Sequence, residues 1–107
     1  MATQKRPLRI QDASLRDAAG RLESFTTMVN RRVDEMRAAE DRAEKTLALF
    51  EAEVAAKLVE SAVYEVSLRL LPHGVEFDPA RQLSLRLGRF RRELASFEVS
   101  YGPLPRA

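Results

Sequence analysis

The sequence predicts an all-α fold in which a long helix packs against a shorter antiparallel helix, as a helical hairpin or coiled coil. Ala, Arg, Glu and Leu recur throughout the 107 residues, which include no Trp, two Tyr and five Phe. This composition is typical of long helices. Apolar side chains recur every three or four residues over most of the chain, which is the helical period. Two proline-containing segments, 72–74 and 78–79, separate the helices.

The first segment, residues 1–13, is predicted to be a flexible basic arm. It carries Lys5, Arg6 and Arg9, and its apolar residues show no helical period. It lacks the apolar stretch of a signal peptide, and no window of the chain has the roughly 20 apolar residues that cross a bilayer. The chain has no Cys, which excludes disulfides and thiolate metal sites. A soluble cytoplasmic protein without membrane contact is therefore expected.

A long helix is predicted over residues 14–71. Ser14 and Asp17 form a start that resembles a capping box, because a hydroxyl and a carboxylate three residues apart satisfy amide donors of the first turn. The apolar residues that follow keep to one face of this helix. Two alternatives stay open. The helix bends or stays straight near Gly20, a weak helix former, and residues 63–71 form helix or strand, because they also alternate between polar and apolar.

A turn over residues 72–78 is predicted to follow the long helix. Pro72 cannot continue the ladder of helical hydrogen bonds, and Gly74 accepts left-handed backbone angles. Asp78 followed by Pro79 is a strong helix start, because the carboxylate suits the N-cap position and the amide that proline lacks would have been unpaired there. The chain is therefore expected to reverse its direction at this turn.

The second helix is predicted over residues 79–98, and an irregular tail over 101–107 ends the chain. A short loop between two amphipathic helices implies antiparallel packing, so this helix is expected to cover the C-terminal part of the long one. The predicted hairpin core consists of Phe50, Val54, Leu58, Val66, Leu70, Leu83, Leu87, Phe90, Leu94 and Phe97.

The unequal length of the two predicted helices indicates self-association. The long helix would measure about 85 Å and the short one about 30 Å, so the N-terminal part of the long helix has no partner within the chain. Its apolar side chains would contribute on the order of 10 kcal/mol on burial, which rivals the stability of a domain. Residues 14–100 are therefore expected to be an oligomerisation domain. The predicted oligomer interface consists of Leu15, Leu22, Phe25, Val29, Val33, Met36 and Leu47.

Basic residues towards both ends of the chain are candidate DNA contacts. The formal charge is +4 over residues 1–33, −5 over 34–68 and +3 over 69–107. Arginines along a helix can contact successive phosphates, although the same charges also solvate a helix face or bind acidic protein surfaces. The candidate DNA-binding residues are Lys5, Arg6, Arg9, Arg31, Arg32, Arg81, Arg86, Arg89, Arg91 and Arg92.

Residues of the kinds that perform catalysis or hold metals are not clustered in the sequence. There is no glycine-rich phosphate loop, nucleophile elbow or His/Cys pattern with metal spacing. His73, the only histidine, is interpreted as an ordinary turn residue rather than a general base. The acidic residues Glu40, Asp41 and Glu44 are interpreted as a solvated helix face rather than a metal site. The sequence therefore predicts no enzyme activity, no metal and no cofactor.

The predicted hairpin, joined by the segment PHGVEF and basic at both ends, resembles the ring-forming oligomerisation region of small terminase subunits from tailed phages and gene transfer agents. The resemblance covers about 85 of the 107 residues and lies in the architecture. It implies a non-catalytic homo-oligomer, in that family a ring, which binds double-stranded DNA and delivers it to the large terminase, an ATPase and nuclease, inside a bacterial host cell. Phage members usually carry an N-terminal helix-turn-helix domain, for which residues 1–13 are too short, so weak and non-specific DNA binding is implied.

Three functions are compatible with these features. The first is an oligomeric DNA-packaging adapter that resembles a small terminase. The second is a structural coiled-coil adapter of a secretion or envelope machine, whose basic ends bind acidic protein surfaces. The third is a small nucleoid-associated protein that coats DNA as dimers. Native mass and DNA affinity distinguish them, because a ring needs a defined stoichiometry above two and the structural adapter needs no DNA.

Overall fold

Three α-helices make up the part of the chain that this computed structural model describes, residues 12–104. Helix α1 covers Ala13–Ala38, α2 covers Arg42–Leu70 and α3 covers Pro79–Tyr101, with a short 3-10 turn at Leu71–His73 between α2 and α3. The described residues contain no strand. The predicted all-α class is therefore confirmed, with three helices in place of two.

The prediction of one continuous helix over residues 14–71 is wrong, because the chain reverses between α1 and α2. Ala39 leaves the helical region, with φ −67° and ψ 143°, and Asp41 caps the start of α2 by accepting a hydrogen bond from the Glu44 amide at 2.8 Å. Lys45 Nζ donates to the carbonyl oxygen of Met36 at 3.0 Å, across the turn. Reversal lets the apolar faces of α1 and α2 bury each other, and this burial outweighs local helix propensity. The described residues span 62 Å along their longest axis instead of the predicted 85 Å or more.

The other boundaries differ less from the prediction. Asp12, rather than Ser14, is the N-cap of α1, because its Oδ1 accepts from the Leu15 amide at 3.2 Å. Helix α1 continues through Gly20, and residues 63–70 are helical rather than extended. At the start of α3, Asp78 caps the Ala80 and Arg81 amides as expected. Gly74 has the predicted left-handed conformation, with φ 64°.

The core between α1 and α2 is built on a face of small residues. On α2, Leu49, Val59 and Val63 are fully buried, and the alanines between them let the two helices approach closely. The buried alanines of this face, called here the alanine face, are Ala48, Ala52, Ala55, Ala56 and Ala62. Opposite it lies the apolar stripe of α1, which was predicted from the sequence to contact a second copy of the chain.

The predicted oligomer interface is wrong for most of its residues, because the chain covers them itself. Five of them are at most 7% exposed: Leu15, Leu22, Val29, Val33 and Met36. Phe25 packs against the same core and is partly buried. Leu47 differs, with 60% of its surface exposed. A continuous helix would have left the N-terminal apolar stripe uncovered. Because α2 folds back onto α1, most of this stripe is buried within the chain.

Helix α3 lies along both other helices and closes the bundle. Its Leu87, Phe90 and Phe97 are buried in the common core, and Leu83 and Leu94 are partly buried against it. Arg86 contacts Glu23 near the middle of α1, while Arg42 Nη2 at the start of α2 donates to the carbonyl oxygen of Tyr101 at the end of α3. Helix α3 therefore runs parallel to α1 and antiparallel to α2.

The predicted hairpin core is correct for Val66, Leu70 and the α3 residues, but wrong for three residues of α2. Phe50, Val54 and Leu58 are 38%, 52% and 39% exposed. Helix α2 has apolar side chains on two faces, and the face of smaller residues is the one that packs inward. A further core residue, Leu104, follows the turn at Gly102 and is 2% exposed. It lies in the tail that was predicted to be irregular.

A contact between Asp12 and His73 joins the start of α1 to the turn that follows α2. His73 is 4% exposed, and its Nε2 lies 3.2 Å from Asp12 Oδ2. His73 lies in the turn between α2 and α3, where the sequence placed it, and it is buried there. Its Nδ1 is buried and has no hydrogen-bond partner among the described residues. Asp12 thus caps α1 with one carboxylate oxygen and holds His73 with the other.

Replacing Asp12 by alanine is expected to lower the free energy of unfolding by about 2–4 kcal/mol. The variant loses an N-cap, worth about 1 kcal/mol, and leaves the His73 ring buried without this partner, which costs about 1–3 kcal/mol. Asp78→Ala removes a cap alone and should lower it by about 1 kcal/mol. Urea unfolding followed by circular dichroism measures both values. Equal losses in the two variants would show that the contact with His73 adds nothing to stability.

Candidate interaction surfaces

An apolar stripe runs along α2 on the side turned away from the alanine face. We call it the outer α2 stripe, and it consists of Leu47, Phe50, Val54 and Leu58, at helical spacings of three, four and four residues. Their exposed fractions are 60%, 38%, 52% and 39%. Isolated exposed apolar residues are ordinary, but a continuous row along one helix indicates a contact surface.

The N-terminal half of this stripe borders an open groove. The groove has a volume of about 590 Å³ and is lined by Arg42, Ala43, Thr46, Leu47 and Phe50. Apart from the Arg42 head group and the Thr46 hydroxyl, these side chains present apolar atoms. A groove with such a lining fits an apolar side chain from a neighbouring helix better than a charged ligand.

The carboxylates of α2 that face α1 are neutralised by arginines of the same chain. Arg32 lies 2.7 Å from Glu35 and 3.9 Å from Glu51, and its hydrogen bond with Glu35 raises the pKa of the guanidinium. Arg21 lies 2.8 Å from Glu65. The hydrogen bond from Arg21 lowers the pKa of the Glu65 carboxyl, with a smaller contribution from Arg69. This flank of α2 therefore carries little uncompensated charge.

Several candidate DNA-binding arginines attach α3 to the other helices. Arg86 binds Glu23 at 2.9 Å and also donates to Thr26 Oγ1 at 3.2 Å. Arg89 forms an ion pair with Asp34 of α1. Arg91 lies 4.0 Å from Glu60 of α2. Together with the Arg32 contacts, these pairs give four of the predicted DNA contacts a structural partner within the chain.

Three other candidates, Arg31, Arg81 and Arg92, are exposed and have no ion pair within residues 12–104. Arg81 and Arg92 are eleven residues apart, close to three helical turns, so they share the outer face of α3. Leu85, 67% exposed, lies between them on this face. The predicted contacts Lys5, Arg6 and Arg9 lie outside the described residues.

The charge of the described part differs in sign from that of the whole chain. Residues 12–104 contain 14 basic and 16 acidic side chains, a formal charge of −2, whereas the full sequence carries +2. The excess of positive charge therefore comes from Lys5, Arg6, Arg9 and Arg106. A polyanion would be attracted to these terminal segments and to local groups such as Arg81 and Arg92, rather than to the folded part as a whole.

Two other grooves are open and are lined in part by side chains that pair within the chain. One groove of about 480 Å³ between α1 and α3 is lined by Asn30, Leu85, Arg86 and Arg89, among others. Another, of about 420 Å³, lies beside the pair of Asp12 and His73. Among residues 12–104, no three His, Cys, Asp or Glu side chains are placed to hold a metal ion. None of the described helices is both long and apolar enough to cross a membrane.

Sequence reasoning missed two features of these surfaces. Three residues of the outer α2 stripe, Phe50, Val54 and Leu58, were predicted to be hairpin core from their helical spacing, and only Leu47 was predicted to lie in an oligomer interface. No local signal distinguished the stripe from the alanine face. The partner of His73 lies 61 residues away, so spacing along the chain gave no sign of the pair. A scan against models of protein families, a search of curated proteins and a search of solved structures found no match to this chain.

Proposed function

We propose that this chain is a non-catalytic adapter that self-associates and binds duplex DNA with low sequence specificity, as the resemblance to small terminase subunits implies. In that role it would pass DNA to a large terminase motor in the cytoplasm of a bacterial host. The observation that carries the adapter role is the outer α2 stripe, a row of large apolar side chains at helical spacing that are 38–60% exposed. Such a row stabilises an assembly rather than the single chain.

The DNA part of the proposal is supported by the unpaired basic groups. Arg81 and Arg92 share one exposed face of α3, and the segment that contains Lys5, Arg6 and Arg9 adds three positive charges. Contacts of this kind bind phosphates without reading base sequence. Because residues 12–104 carry a net charge of −2, the binding should be weak and confined to these groups.

A salt titration of binding to a duplex tests this proposal. The logarithm of the association constant should fall with the logarithm of salt concentration, by about 0.9 for each phosphate contacted. The double variant Arg81→Gln/Arg92→Gln should reduce this slope by up to about 1.8. Arg69→Gln, which removes a charge outside the candidate set, is the matched control and should leave the slope unchanged. Absence of binding by the unaltered protein at low salt would remove the DNA role.

A second candidate function is an adapter between proteins that does not bind DNA. It is favoured by the intramolecular pairing of Arg32, Arg86, Arg89 and Arg91, which leaves few guanidinium groups for phosphates. This function predicts the same self-association without DNA affinity. Native mass spectrometry with and without a duplex separates the two, and a protein that coats DNA only as dimers would instead indicate the nucleoid-associated alternative.

A further inference from the structure

We infer that the outer α2 stripe is the contact surface of a two-fold dimer, in which α2 of a second copy lies antiparallel across it and the two Val54 side chains meet on the axis. This inference rests on the proposed adapter function and names the surface and geometry of its self-association. It shares only Leu47 with the interface predicted from the sequence, whose α1 residues pack within the chain.

The spacing of the stripe is symmetric about Val54. Counting outward, Phe50 and Leu58 are each four residues away, and Leu47 and Ser61 are each seven away. A two-fold axis that pairs antiparallel helices matches each residue with the one at equal distance on the other side of the centre. Val54 therefore packs on Val54, and Phe50 of each copy packs on Leu58 of the other. The part of the stripe from Phe50 to Leu58 is therefore complementary to itself in this orientation, while Leu47 lies opposite Ser61.

The groove on α2 favours the antiparallel over the parallel orientation. It lies at the N-terminal end of the stripe, between Ala43 and Phe50. In the antiparallel arrangement Leu58 of the other copy packs on Phe50 at the C-terminal edge of each groove, as a knob packs into a hole. In a parallel arrangement the two grooves would face each other and stay unfilled, which forfeits contacts at both.

The exposed area fits a reversible dimer. The four side chains of the stripe expose on the order of 300 Å² per copy. If about 57% of the interface is apolar, the two copies bury roughly 1,100 Å² in total, close to the lower limit of specific interfaces. The charged flank does not oppose this approach, because Glu51 and Glu65 are paired with Arg32 and Arg21 of their own chain.

Two apolar residues close to the described part of the chain, Leu8 and Ile10, cannot cover the centre of the stripe. They precede Asp12 by four and two residues and reach at most about 14 Å from it. Asp12 contacts His73, beyond the C-terminal end of α2. Val54 lies 16 residues before Leu70, about 24 Å along the helix. A second copy is therefore the occupant that the chain itself provides.

Sedimentation velocity from about 2 to 500 µM tests the dimer. The unaltered protein should shift from monomer to dimer with concentration, and Val54→Lys should weaken this association by at least about tenfold, because two ammonium groups would meet on the axis. Val99→Lys is the matched control, because Val99 is 89% exposed on α3, and it should dimerise normally. A monomer throughout the range, or unchanged association of Val54→Lys, would overturn the inference.

Cysteine substitution tests the orientation, because the chain has no native cysteine. Under mild oxidation, Val54→Cys should form an intermolecular disulfide in both the parallel and the antiparallel arrangement. Leu47→Cys should cross-link only in a parallel dimer, because the antiparallel one places residue 47 opposite Ser61, beyond disulfide reach of its own counterpart. Rapid cross-linking of both variants would overturn the antiparallel geometry.

The outcomes also separate this inference from the proposed function. Oligomers that persist unchanged in Val54→Lys would overturn the interface and leave the adapter role standing. A Val54-dependent dimer that binds no duplex at low salt would support the interface and contradict the DNA role. A heterologous partner that binds the stripe of a strictly monomeric protein would overturn the dimer while leaving an adapter between proteins.

Discussion

Leu49→Ala is expected to lower the free energy of unfolding by about 3 kcal/mol. Leu49 is fully buried on the alanine face of α2, and truncation of such a side chain removes its transfer free energy and leaves a cavity that close-packed helices fill only in part. A bundle of this size has a total stability of about 5–15 kcal/mol, so the loss is a large share. Urea unfolding followed by far-UV circular dichroism measures it.

Leu47→Ala is the matched control for this prediction. It makes the same chemical change two residues away, on a side chain that is 60% exposed, and should alter the stability of the monomer by less than about 0.5 kcal/mol. The comparison should be made at low protein concentration, where the proposed dimer is dissociated. Similar losses for the two variants would mean that α2 packs with its outer stripe inward, contrary to the fold described above.

Phe90→Ala is expected to destabilise the protein by about 3–4 kcal/mol and to free α3 before the other helices unfold. Phe90 is 5% exposed and lies in the middle of the buried face of α3, between Leu87 and Phe97. The ion pairs of Arg86 and Arg89 lie on the exposed rim, where each is worth at most about 1 kcal/mol. They cannot hold α3 in place without the aromatic anchor.

Hydrogen exchange measured segment by segment checks this second prediction. Amides of α3 should exchange faster in Phe90→Ala, while those of the α1–α2 pair keep most of their protection. Leu85→Ala, on the outer face of the same helix and 67% exposed in the unaltered protein, should leave the exchange of α3 unchanged. Uniform loss of protection over all three helices would mean that the bundle unfolds as one unit.

Helix content and several boundaries could be predicted from the sequence because their signals are local. The Asp78-Pro79 start and the turn at Gly74 depend on backbone chemistry that a few residues determine, and α3 follows from them. The reversal at residues 39–41 has one local signal, because Asp41 and Glu44 match a capping-box start, but the segment contains no proline or glycine that would end the preceding helix. The reversal is favoured by the burial of apolar side chains between α1 and α2. These side chains belong to residues that lie far apart along the chain.

The candidate surfaces were harder to predict than the fold. Large apolar residues at helical spacing were interpreted as core, yet on α2 the close approach of α1 selects the alanines, and Phe50 and Val54 remain outside. The arginines of α3 carry the same charge whether they meet phosphates or carboxylates. Only the position of Glu23 and Asp34 on α1 shows that Arg86 and Arg89 have partners within the chain.

The alanine face makes side-chain size a poor guide to which positions tolerate natural variation. Where Ala52 and Ala55 are buried in the common core, a single added branch would push neighbouring helices apart, and overpacking of this kind typically costs about 1–3 kcal/mol. We therefore expect the buried alanines of α2 to tolerate fewer substitutions than the large residues on its exposed side. The exposed residues can be replaced wherever assembly does not need them.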